Sequence, residues 1–164
     1  MGLDYEFRLS FSADRRADAV RGLAARAWRP PDDRDGAVLW FPEDEAIRRF
    51  MADRPTIARE AGRVAIGAVY VRARELPDEF RLDLTPASSA MSILFTRSDA
   101  IRRTLEGLLA ENGGLLGLLH DSDENWGPVV FWPESHPEHV AGSLFEVHRR
   151  VAPNTAYYHR HDLP

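Results

Sequence analysis

Residues 63–74, RVAIGAVYVRAR, are the longest β-branched stretch of the chain, and Phe80, Leu82 and Leu84 alternate with Arg81 and Asp83 just beyond it. Alternation with a period of two sends successive side chains to opposite faces, which suits a strand with one face in a core. Only ELPDE (75–79) separates the two runs, so they are predicted to be neighbouring strands joined by a turn. The chain opens the same way, with Tyr5, Phe7, Leu9 and Phe11 on one face and Glu6, Arg8 and Ser10 on the other. Strands of this kind commit the fold to a sheet whose apolar face must be covered by helices.

The remaining segments supply that cover. Ser12 or Asp14 can cap a helix with the apolar face Ala17, Val20, Leu23, Ala24 and Ala27, ending at Trp28. RPPDDRDG (29–36) reads as a loop, AVLWF (37–41) as a buried strand, and EDEAIRRFMADR (43–54) as a helix with its acids at the N-terminus. AMSILFT (90–96) reads as a strand. Ser98 is predicted to cap a helix buried along Ile101, Leu105, Leu108 and Leu109, which Asn112-Gly113-Gly114 ends in a left-handed turn. GLLGLL (114–119) and PVVFW (128–132) follow as strands, and Val140, Leu144, Val147, His148 and Val151 mark a last helix.

The expected architecture is α+β. One domain spans 1–151, with a mixed or mainly antiparallel sheet of six to seven strands and three to four helices mainly on one face. Residues 152–164 form a polar tail. An internal echo, Phe41-Pro-Glu-Asp-Glu-Ala-Ile-Arg-Arg against Phe95-Thr-Arg-Ser-Asp-Ala-Ile-Arg-Arg, implies one strand-to-helix layout used twice. Chance in an Ala/Arg-rich chain is the stronger explanation, and two copies make no solenoid.

Composition excludes more than it reveals. A chain of 164 residues, 44% hydrophobic, is long enough for one domain with a full core. A net charge of −5 argues against nucleic-acid binding, which depends on neutralising phosphates. No run of eighteen apolar residues occurs, so no membrane span or signal peptide is expected, and the expected location is cytoplasmic. All 21 basic residues are arginine, a pattern that codon bias explains, and there is no cysteine. Schiff-base, pyridoxal and P-loop chemistry need a lysine; thiol nucleophiles and thiolate metal sites need a cysteine.

Groups able to do chemistry are densest in HDSDENWGPVVFWPESHPEH (120–139). Asp121, Asp123 and Asn125 open like a calcium loop, but Trp126 stands where the sharp turn needs glycine and Trp132 where a bidentate glutamate belongs. Ser135-His136-Pro137-Glu138 has the form of a capping box, which places His136 and His139 in the first turn of the last helix. A histidine metal site needs a third ligand, such as His120, His159 or His161. No serine lies in a G-x-S-x-G elbow. Two readings follow. One is a non-enzymatic protein-binding domain that uses Asp121, Asp123, Glu124, Asn125 and Trp126, with no cofactor. The other is a metal-dependent hydrolase or small-ligand protein built on His120, His136, His139 and the neighbouring carboxylates.

The start MGLDYEFRLSF, the strand SILFTR running into a helix, and GLLGLLHDSDENWGPVVF as a strand, an acidic turn and a strand together resemble small bacterial immunity proteins of the swarming-inhibition toxin type. The resemblance covers about two-thirds of the chain, and the final helix and histidine-rich tail depart from it. It implies a cytoplasmic, non-catalytic protein that binds and neutralises a toxin, for instance a basic toxin domain.

Overall fold

The computed structural model describes residues 5–30, 36–121 and 129–131. The architecture is α+β, and every strand pairing is antiparallel. The strands are β1 (Tyr5–Ser12), β2 (Ala27–Arg29), β3 (Ala37–Pro42), β4 (Ala58–Glu60), β5 (Arg63–Glu75), β6 (Glu79–Pro86), β7 (Gly114–Asp121) and β8 (Val129–Phe131). Seven of them run in the order β2-β3-β5-β6-β1-β7-β8, and the short β4 pairs with β5. The helices are α1 (Arg16–Ala25), α2 (Glu45–Met51), α3 (Ser89–Arg97) and α4 (Asp99–Glu111). No helix among the described residues is long and apolar enough to cross a membrane.

β5 and β6 are neighbours, as the sequence predicts, with Val71 opposite Leu84 and Arg72 opposite Asp83. β5 has two partners on one side, placed end to end: β4 along 63–65 and β6 from Val69 onward. β3 lies along its other side, and there Gly67 faces Val38. A Cβ on Gly67 would stand 2.5 Å from Val38 Cγ2, so only glycine allows the two strands this approach.

One core unites the layers. Phe7, Leu9, Phe11, Leu39, Phe41, Phe80, Leu82 and Leu84 from one sheet face meet Leu23, Ile47, Met91, Leu94, Phe95, Ile101, Leu105 and Leu108 from the four helices. At roughly 1.5–3 kcal/mol for each large side chain removed from water, this face is the main driving force for the fold. Gly113, at φ +66, ends α4 in the left-handed turn expected of it.

Three sequence expectations are corrected. AMSILFT lies in α3, not in a strand: Met91, Leu94 and Phe95 share the buried side at helical spacing, and Ser88 caps the helix by accepting from the Met91 amide at 3.2 Å. α1 is entered through a 3₁₀ turn, Ala13–Arg15, and neither Ser12 nor Asp14 caps it. In α1 it is Ala19 and Leu23 that are buried, while Val20 is 47% exposed. Trp28 has left the helix for edge strand β2, where it too is exposed. The predicted last helix and the tail lie outside the described residues.

Candidate functional site

The sequence-predicted residues divide sharply. His120 and Asp121 end β7 and pair with Glu6 and Tyr5 of β1. Asp123, Glu124, Asn125, Trp126, His136 and His139 lie outside the described residues, as do His159 and His161. Among the described residues no cluster of three or more His, Asp or Glu could hold a metal ion.

A site that sequence reasoning missed opens in the helical layer. α2, α3 and the start of α4 enclose a cleft of about 810 Å³. Ala46, Phe50, Ile93 and Leu94 supply its apolar lining, while Glu43, Asp44, Glu45, Arg49, Arg97, Asp99 and Arg103 supply charge. Its framework is the Asp44 carboxylate. One oxygen accepts the Ile47 amide of α2 at 2.8 Å. The other accepts the Ser98 hydroxyl at 2.8 Å and the Ala100 amide of α4 at 3.0 Å. Ser98 in turn caps α4 by accepting from the Ile101 amide at 3.1 Å. The N-termini of two helices, each with orphan amides and a positive dipole end, therefore share one anion.

Here the sequence echo acquires a meaning. Asp44 and Ser98 occupy equivalent places in its two copies, both are N-caps, and they are hydrogen-bonded to each other. The layout before them is not shared, since Phe41 lies in strand β3 and Phe95 in helix α3.

Burial raises the pKa of Asp44, but the amides of Ala100, Ile47 and Ala46 and the Ser98 hydroxyl outweigh it and hold the carboxyl below the ordinary aspartate value. A depressed folded-state pKa adds stability that is present above the unfolded value and lost as pH falls through the folded one. Asp44→Ala should therefore cost about 1–3 kcal/mol at neutral pH, the sum of a lost cap and stranded partners. Urea unfolding at pH 7 and pH 3 checks this: the gap between variant and wild type should shrink in acid.

The other carboxylates of the cleft are also engaged. Glu43 pairs with Arg59 at 3.0 Å, Glu45 with Arg49, and Asp99 with Arg102. Arg97 and Arg103 line the cleft with no hydrogen bond or ion pair among the described residues. Arg54 stacks on Phe50, 4.0 Å from the ring centre, and holds that aromatic in place.

The sheet face away from the helices holds a second charged group. Asp83, 2% exposed, receives Arg8 Nε at 2.8 Å, with Arg81 and Arg74 at 3.6 and 3.8 Å. Arg8 also reaches Glu6 at 3.2 Å, and Thr85 donates to Glu6 at 2.9 Å. Burial pulls the Arg81 guanidinium below its ordinary pKa, Arg8 and Arg74 push the same way, and Asp83 and Glu79 oppose. The arrangement ties β1, β5 and β6 together.

Comparison of the chain with known protein families, curated proteins and solved structures found no match.

Proposed function

We propose that the protein is a non-enzymatic protein-binding domain of immunity or regulatory type, contacting its partner through Asp121, Asp123, Glu124, Asn125 and Trp126. The supporting observation is the register of β7. It pairs antiparallel with β8, Gly117 to Leu119 against Phe131 to Val129, so residues 120–128 link two neighbouring strands. Connections between strands are where binding groups are commonly carried. This one is rich in carboxylates and holds a tryptophan, which favours a basic partner drawn in by charge and anchored by an aromatic side chain. A toxin domain of basic character fits that description, in line with the resemblance to toxin-immunity proteins.

Trp126→Ala tests the reading. Folding stability should change by less than about 0.5 kcal/mol, as for other surface truncations. Affinity for the partner should fall by about 2 kcal/mol or more. A partner-free check uses the Trp28→Phe, Trp40→Phe, Trp132→Phe variant, in which Trp126 is the sole indole. Red-shifted emission quenched by iodide is expected; blue-shifted, unquenched emission would rule out a contact role.

A further inference from the structure

We propose that the cleft between α2, α3 and α4 is a second docking site, and that it takes an acidic peptide segment of a partner protein anchored by an apolar side chain. The proposal rests on the reading of the chain as a binding protein, but not on residues 121–126.

Charge complementarity selects the occupant. Asp44 is engaged by two helix N-termini, and Glu43, Glu45 and Asp99 each have an arginine. What the cleft still offers a ligand is the pair of guanidiniums on Arg97 and Arg103, both exposed and unpaired among the described residues. Guanidinium groups match carboxylates in geometry, with two parallel N–H donors for two oxygens.

The anchor follows from Ile93. It is 40% exposed although it lies on a helix whose Met91, Ser92, Leu94 and Phe95 are all buried. It borders the same cleft as the half-buried Phe50. An apolar side chain seated there would cover both, with Arg97 and Arg103 taking flanking carboxylates. The volume of about 810 Å³ lies within the range of ligand-holding clefts, roughly 300–1,000 Å³. The site is also formed in advance, because the Asp44–Ser98–Ala100 bonds fix α2 against α4, so little ordering cost falls on the protein.

The test is selection of random heptapeptides displayed on phage against the immobilised protein, with counter-selection on the Arg97→Gln/Arg103→Gln variant. Neither arginine makes a contact the fold needs, so the variant should melt like wild type. Peptides combining two or more acids with a Leu, Ile or Phe are expected to survive. As fluorescein conjugates in anisotropy titrations, they should bind the double variant at least tenfold more weakly. Ile93→Asp should weaken them similarly, and added salt should weaken binding to wild type. Survivors that are basic or uncharged, equal binding to the double variant, or no survivors at all would overturn the proposal. Trp126→Ala should leave these titrations unchanged, so failure here is separable from failure of the 121–126 reading.

Discussion

Asp83→Ala should destabilise the protein by about 3–5 kcal/mol, the cost of leaving buried charge without its counter-ion. Three guanidiniums face this one carboxylate, and that of Arg81 is itself buried. Removing Asp83 takes away the carboxylate that Arg8, Arg74 and Arg81 share across β1, β5 and β6, and the buried Arg81 bears most of the loss, since Arg8 keeps Glu6. Asp83→Asn should fall between variant and wild type, since it can still accept from Arg8 Nε but carries no charge. Arg72 is the control. It stands opposite Asp83 in the β5–β6 register but is exposed, and Arg72→Ala should stay within about 0.5 kcal/mol of wild type. Urea unfolding of the three variants checks the set, and equal effects for Asp83→Ala and Arg72→Ala would sink this account of the sheet.

Phe95→Ala should cost about 3–5 kcal/mol, the range for emptying a buried aromatic site. The ring is 2% exposed and packs 5.1 Å from that of Phe7. Paired with Ile93→Ala, the experiment distinguishes helix from strand for this segment. In a strand, positions 93 and 95 share a face and both truncations would be costly. In α3 they face apart, so Ile93→Ala should cost under about 1 kcal/mol. Thermal and urea unfolding give both values.

The misreading of this segment has a physical cause. AMSILFT is short and nearly all apolar, and a run with few polar gaps carries no clear period. The helical signal lay just upstream, in a Ser88 able to cap and in the spacing of Met91, Leu94 and Phe95. β1 and β6 were legible because each keeps a polar side chain between apolar ones, even where, as at Asp83, that side chain is buried; β5 was legible from its β-branched content. The face of α1 was misplaced because its apolar residues Ala17, Val20, Leu23 and Ala24 are small or sparse, and tertiary packing buries Ala19 and Leu23 instead. One of the three stretches behind the immunity-protein resemblance, SILFTR, is thereby helical. The cleft was not legible from either wall alone, because its walls come from segments about fifty residues apart that only tertiary packing unites. Its one trace was the repeated Ala-Ile-Arg-Arg, each copy preceded by its cap.

The place of β1 in the sheet has a consequence for how the chain is made. Phe7 pairs with Leu84 on one side and Leu119 on the other, so β1 is made before both of the strands that flank it. At about 5–20 residues per second, β1 waits several seconds for β6 and longer for β7. Through that interval Phe7, Leu9 and Phe11 have no core, and both edges of the strand can pair with any passing chain. A meander of β2, β3, β5 and β6 can assemble meanwhile, but a gap beside β6 stays open for a strand synthesised long before it. Such distant pairing is slow to form. The vulnerable period for β1 is therefore synthesis, when it is made well before either of the strands that shelter it.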